Sequence, residues 1–395
     1  MSVDALIESA MPELVEIRHD LHIHPELGFE EVRTSGVVQE KLRALGIDFV
    51  AGLARGTGVL GYLPATTKDP KQARTVALRA DMDALPVHEE TGKAYASQTP
   101  GKMHACGHDG HTTILLGVAQ ALSQVERDQN VLFVFQPAEE GGAGGDLLCK
   151  EGALDGRIIG QKADVIYGLH GFPTGPLGTV STRAGALMAS ATEIEIDITG
   201  KGTHAAYPHK GIDTIVVASH IVVALQTIVA RSVDPLQSLV VTIGQFQGGH
   251  AHNIIPEKVR LRGTLRALSD EMAELGMTRV TETVENVAKA FGASATVRWT
   301  GHYPAVVNDA GATERFKAIA TEVIGSDNVI EEEFPSMGGE DFSFYGKIVP
   351  ACFYFLGLLP EGQATYANLH ASTFDFNDAA LPLGIKLMCE LALRG

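Results

Sequence analysis

The sequence predicts an α/β protein built on a mostly parallel sheet with helices on both faces, interrupted by an inserted α+β domain. Three observations carry that reading. TVALRADMD from Thr75, NVLFVFQPAEE from Asn130, ADVIYGLHG (163–171) and ACFYFLGL (351–358) are largely apolar runs rather than strict alternations, the pattern of strands buried on both faces. Helical periodicities lie between them, and strands alternating with helices imply a parallel sheet. From Ala191 to Tyr303 the pattern changes: ATEIEIDITG alternates with period two and opens a β-α-β-β-α-β order, the split βαβ (ferredoxin-like) arrangement. The expected division is therefore 1–190 and 304–395 for the core and 191–303 for the insertion.

In chain order, residues 4–22 read as an amphipathic helix. Thr112 to Val125 reads as another, with Ile114, Leu115, Val118 and Leu122 on one face. Inside the insertion, a helix over 212–230 is followed by strands SLVVTIGQF and KVRLRGTLRAL, a helix over 270–291 and strand SATVRWT. The most apolar stretch, Thr214 to Ala230, carries Ser219, His220 and Gln226, so it reads as a buried or interface helix rather than a membrane span. Core patterns resume after Pro304.

A chain of 395 residues exceeds what one core usually supports, in keeping with two domains. A formal charge of −17 with no basic stripe argues against nucleic acid as a partner. The first residues lack the pattern of a signal peptide, and Cys106, Cys149, Cys352 and Cys389 are too widely spaced for a disulfide framework. A reducing cytoplasm is the expected home, with no membrane partner.

In open α/β sheets ligands bind beyond the carboxyl ends of the strands, and metal-binding types of side chain collect there. Asp81 and Asp83 end the first run. Cys106 and His108 flank Gly107 in MHACGHDGH, which also holds His104 and His111. Glu139 and Glu140 end NVLFVFQPAEE, His170 ends ADVIYGLH, and His370 precedes the last helix. Thiolate and imidazole together suit zinc or a similar ion. Two adjacent carboxylates at a strand end can divide metal binding from general base work. A cysteine nucleophile with a histidine base leaves the paired glutamates, His170 and His370 unused, and a structural zinc site leaves a carboxylate spare. Cys149, Cys352 and Cys389 read as small buried hydrophobes. His22 and His24, in LHIHPELGFEE, read as structural.

The chain resembles the M20 metallopeptidase family, and within it the amidohydrolases of N-acyl amino acids: hippurate hydrolases, aminoacylase-like enzymes and auxin-conjugate hydrolases. The resemblance runs in order through HPELGFEE (24–31), LRADMDALPV (78–87), MHACGHDGH, FQPAEEGGAGG (135–145), GLHGFPTGPLG, GKGTHAAYPHKGID (200–213), NIIP (253–256), RGTLR (262–266), GGEDFSFY (338–345) and LHASTFDFND. It implies two divalent ions per subunit bridged by Cys106, with Glu140 and His370 completing one site and His108 and His170 the other. It implies Glu139 as general base, His204 as the oxyanion-stabilising histidine of the inserted lid, and Asn253 and Arg266 as holders of the amino-acid portion. It also implies a homodimer or higher homo-oligomer formed through the inserted domain. The chain departs from the wider family at Asp81-Met82-Asp83, where a His-x-Asp is usual, and at Cys106, where Asp is usual. Thiolate favours zinc, whereas the oxygen and nitrogen ligands also accept manganese or cobalt.

The resemblance implies a metal-dependent amidohydrolase that cleaves N-acyl-L-amino acids, such as hippurate, to a carboxylic acid and a free amino acid. The alternatives are a dipeptidase or carboxypeptidase of the same fold, or a non-catalytic metal-binding protein.

Overall fold

The computed structural model describes residues 2–395, which divide into two compact units. The first comprises residues 2–187, 307–334 and 341–395; the second comprises 188–306 and 335–340. The contact boundaries fall at 187/188 and 306/307, a few residues from those read in the sequence. The segment 335–340 joins the second unit, which no feature of the sequence anticipates.

The first unit is built on an eight-stranded sheet. Its strands β1 (Asp48–Leu53), β2 (Gly58–Leu63), β3 (Thr75–Asp81), β4 (Asn130–Gln136), β5 (Val165–Pro176) and β6 (Val180–Thr182) are joined by Val329–Glu331 and Ala351–Leu359. The order is β1-β2-β4-β3-β5, then Ala351–Leu359, β6 and Val329–Glu331. The four central strands, β4, β3, β5 and Ala351–Leu359, run parallel. All of β3 and β4 is buried, which explains why their sequences are apolar without alternation.

One face of the sheet packs against α1 (Val3–Ile23), α3 (His108–Leu122) and the C-terminal helix Leu381–Arg394, with α2 (Val32–Ala44) lying beside β1 and β2. The other carries the shorter α4 (Gly144–Glu151) and a 3₁₀ segment, Asp341–Lys347. Two local expectations change. The helix expected from Thr112 begins at His108, because Gly107 takes a left-handed conformation (φ 86°) directly before it. The strand carrying His170 runs on to Pro176, so His170 is not its end; it lies two residues past Gly168, where the pairing with β3 stops.

The second unit is a four-stranded antiparallel sheet, ordered Leu239–Gly248, Lys258–Ala267, Ser190–Thr199, Ser294–Tyr303. With the helices Thr214–Ser232 and Asp270–Ala290 it forms the split βαβ arrangement. Ile194, Ile196 and Ile198 face the helices across a common core, while Glu195 and Asp197 alternate to the open face, where Arg260, Arg262 and Arg298 pair with them.

Two glycines in helices of the first unit test the packing in opposite directions. A Cβ on Gly110 of α3 would lie 2.4 Å from Cγ of the buried Phe376, whereas one on Gly36 of α2 meets nothing within 4 Å. Gly110→Ala should lower stability by about 1–3 kcal/mol through overpacking. Gly36→Ala should raise it by about 0.5–1 kcal/mol by removing backbone entropy. Urea midpoints that moved in the same direction for both would contradict this packing.

Candidate metal centre

The C-terminal ends of the parallel strands bring the predicted residues of the first unit together. Register aligns Asp81 with Gln136, so the segment after β4 that carries Glu139 and Glu140 emerges beside Asp83. Ala138 is held at φ 54°, its N–H donating to Oε1 of the buried Glu31 at 2.8 Å. A non-glycine residue in that region costs about 1–2 kcal/mol and turns the chain sharply. Asp83 then accepts the N–H of Glu139 at Oδ1 (3.0 Å) and that of Glu140 at Oδ2 (2.9 Å). One buried carboxylate thereby sets the direction of both glutamates.

Four overlapping groups of ligand atoms result within the first unit: Cys106, His108 and His170; Cys106, Glu140 and His370; His108, Glu139 and Glu140; and Asp81, His108 and His111. Within each group the ligand atoms lie within 4.8 Å of one another. Cys106 Sγ is 3.3 Å from His170 Nε2, and His370 Nε2 is 3.1 Å from Glu140 Oε1. His370 itself has φ 65°, and its N–H donates to the Ala105 carbonyl at 2.8 Å, tying its loop to the Cys106 loop.

The donor set fits divalent ions. Both His108 ring nitrogens are buried without a hydrogen bond, although Nδ1 approaches Asp83 Oδ1 at 3.3 Å. His170 Nδ1 donates to the Gly171 carbonyl at 2.8 Å. A carbonyl only accepts, so the proton is on Nδ1 and the Nε2 lone pair points at Cys106. Burial and the neighbouring imidazole of His111 push His170 down to about 3, keeping it neutral and able to ligate.

His111 and Asp81 belong to the support rather than to the cluster. His111 Nε2 accepts the Gly171 N–H (2.8 Å) and Nδ1 donates to Asp81 Oδ1 (2.7 Å), which occupies both nitrogens. Asp81 Oδ2 accepts from Arg79 at 2.6 Å. Burial opposes ionisation of Asp81, yet His108, Arg79 and His111 outweigh it and hold its carboxyl well below the usual range. The wider family's histidine position is therefore filled here by a carboxylate already spent on an arginine and a histidine. Asp81 and Asp83 were visible as DMD at a strand end, but their partners lie up to 57 residues away in sequence and no local pattern points to them. His22 is buried against Asp109 and Glu89, while His24 is half-buried and bonds its own helix at the Asp20 carbonyl.

Glu139 is buried, and the backbone N–H of Asp341 approaches its Oε1 at 3.4 Å. The remaining predicted residues lie in the second unit. His204 is exposed in a two-residue strand paired with Ile254–Ile255, and Asn253 adjoins it, its carbonyl accepting the Ala205 N–H at 3.0 Å. Arg266 is half-buried near the other end of strand Lys258–Ala267, opposite Ala191, in a space left open by Gly339. His204 lines a cavity of about 620 Å³ with His250, Glu257 and Lys258. Eight residues of strand separate Lys258 from Arg266, roughly 26 Å at 3.3 Å per residue. The sheet thus presents His204 with Asn253 at one end and Arg266 at the other.

A model of peptidase family M20/M25/M40 matches residues 77–394. This chain belongs to that family. Among M20 relatives, the IAA-amino acid hydrolase ILR1-like 4 of Arabidopsis thaliana is 40% identical over 387 residues, covering 96% of this chain and 85% of that one. The N-acetyl-L-cysteine deacetylase of Bacillus subtilis is 40% identical over 384 residues, covering 97% and 88%. The crystal structure of the Bacillus subtilis YXEP protein, described as a dinuclear metal binding peptidase from the M20 family, superposes with a TM-score of 0.82 at 32% identity, covering 98% of each chain.

Burial and the carboxylates of Glu140 and Glu139 raise the Cys106 thiol well above its ordinary value. Burial works against a charged His108, but Asp81, Asp83 and Glu140 prevail and raise it to about 10. Ligation needs a thiolate and a neutral imidazole. Metal uptake at neutral pH should therefore release about two protons from these groups, and apparent affinity should climb as pH rises towards 10. Calorimetric titration with Zn²⁺ in buffers of differing ionisation enthalpy measures this. A binding heat independent of buffer would exclude Cys106 and His108 as ligands.

Proposed function

We propose that this M20 protein is a metal-dependent amidohydrolase that cleaves the amide bond of N-acyl-L-amino acids to a carboxylic acid and a free amino acid. The observation that carries this is the division of the adjacent glutamates. The Glu140 carboxylate joins Cys106 and His370 in one ligand group, while Glu139 sits beside it, buried and steadied by the Asp341 N–H. The relatives named for amino-acid conjugates and N-acetyl amino acids support the substrate class.

The proposed ligands are Cys106, shared, with Glu140 and His370 for one ion and His108 and His170 for the other. The thiolate favours zinc, and the remaining donors accept manganese or cobalt. Bound divalent ions supply Lewis acidity and lower the pKa of water towards neutrality. Glu139 removes the proton from the attacking water and passes it to the leaving nitrogen. His204 donates to the oxyanion that develops on the acyl carbon, a contribution of roughly 3–4 kcal/mol for a well-aimed donor. Arg266 and Asn253 hold the amino-acid carboxylate and amide. Burial lowers the Arg266 pKa from its ordinary value, against the opposing charge of Glu193, so its charge is poorly solvated and available to an anion.

We further propose that the protein works as a homodimer formed through the second unit. The helix Thr214–Ser232 leaves Val216, Val223 and Val229 exposed, Val223 by 69%, and Leu239–Gly248 is an edge strand of its sheet, paired on one side only. An N-acyl amino acid is far shorter than the roughly 26 Å of strand between the His204 and Arg266 ends. One substrate therefore takes these two residues from different subunits. The cytoplasm suits a protein that keeps Cys106 as a metal ligand and forms no disulfide among its four free cysteines.

Three variants test the assignment. Glu139→Gln should retain metal and lose about 10²–10⁴-fold in kcat on hippurate or N-acetylmethionine, while Glu140→Gln should lose metal by elemental analysis. His204→Ala should keep full metal content and lose about 10²–10³-fold in kcat. Mixing His204→Ala with Glu139→Gln should restore activity, because one site of the heterodimer then holds both intact groups. Turnover of Gly-X dipeptides in preference to N-acyl amino acids would favour a dipeptidase instead.

A further inference from the structure

Arg18 lies near the end of α1, ahead of the residues that the family model matches, and is fully buried. Its Nη1 donates to Asp109 Oδ2 at 3.1 Å and to Asp375 Oδ1 at 3.0 Å, and its Nε lies against Asp378. Asp109 follows His108 in the first turn of α3. Asp375 follows His370 by five residues, in a loop with no helix or strand between Leu359 and Asp378. The other carboxylate oxygen of Asp375 accepts from Tyr95 Oη at 2.7 Å, and the Tyr95 ring lies 4.8 Å from the guanidinium carbon. His22, one turn along α1, also bonds Asp109 Oδ2, at 2.8 Å.

We infer that Arg18 is a positioning residue of the metal centre, which holds the His108 turn and the His370 loop at a fixed separation by binding Asp109 and Asp375 at once. The inference rests on the ligand set proposed above. Three features single it out. The two carboxylates lie 266 residues apart in the chain, and both lie close in sequence to a proposed ligand. His370 is solvent-exposed in a left-handed conformation, so its placement depends on what anchors its loop: the backbone bond to Ala105, the bonds between Ser372 and Glu90, and the Asp375 carboxylate, whose partner Arg18 also holds the His108 turn. Finally, a buried cation among several carboxylates is a poor source of net stability, since apolar groups of the same volume often serve as well. What it does provide is a defined geometry, because a guanidinium forms its bonds in a rigid plane.

The test is Zn²⁺ affinity, measured by chelator competition on the full-length protein, together with the visible spectrum of the Co²⁺-loaded form. Arg18→Met should weaken the binding of at least one ion by about 10–100-fold, the usual effect of losing a group that orients a ligand, and should change the Co²⁺ spectrum. Arg18→Lys should not rescue it, because the lysine nitrogen falls one bond short of Nη1 and the Nε that lies against Asp378 is lost. If Arg18→Met fails to fold, Asp375→Asn tests the same contact with little change in shape. In a His370→Ala background, Asp375→Asn should cost no further affinity, because the ligand it positions is gone. Equal costs in both backgrounds, or wild-type affinity and spectrum in Arg18→Met, would overturn the inference. If His370→Ala itself leaves Zn²⁺ binding unchanged, the proposed ligand set fails rather than the role of Arg18.

Discussion

Arg79 stands in the middle of a parallel strand, wholly buried, and its guanidinium is divided among Asp81, Asp341 and Gln136. A charge so placed has no water to fall back on, so every donor must be met by protein. The groups that meet it come from the end of β3, the end of β4 and the start of the 3₁₀ segment Asp341–Lys347. Gln136 binds Asp341 in turn, and Tyr345 Oη donates to Gln136. From this knot two lines of contact reach the reactive edge of the sheet. One passes through Asp81 and His111 to the Gly171 peptide and so to His170. The other passes through Asp341, whose N–H meets Glu139.

The same economy of charge governs the proposed ligand cluster. Four carboxylates, Asp81, Asp83, Glu139 and Glu140, meet near a buried thiol and three imidazoles. Left alone they would repel one another and resist burial. Arg79 and His111 neutralise Asp81, and two backbone N–H groups satisfy Asp83. The steep cost of an unpaired buried charge also makes the arrangement specific: few other side chains fit any one of these positions without stranding its partner.

The second unit contributes by different means. Its sheet is antiparallel with one open face, and what matters for catalysis is where its strand ends lie. A strand is rigid over its length, so it separates the groups at its two ends by a distance that no loop adjustment removes. With His204 and Asn253 at one end and Arg266 at the other, the proposed reaction would need two copies of this unit, and the proposed dimer would use its exposed apolar helix face and open sheet edge.

Much of this could be read from the chain itself. Continuous apolar runs marked the buried parallel strands, because a strand covered on both faces has no reason to alternate. The ligand types gathered at the ends of those runs, because side chains beyond the carboxyl edge of such a sheet necessarily face a common crevice. Gly107 announced the turn between Cys106 and His108, since only glycine adopts that backbone without penalty. The supporting shell could not be read in the same way. Nothing near Asp83 in sequence shows that it captures two peptide groups after β4, and nothing near Arg18 shows that it binds carboxylates 91 and 357 residues away. Periodicity and turn chemistry are local, so they determine elements and the residue types at their ends. The partners of a buried charge are chosen by which elements pack together, and only the tertiary structure decides that.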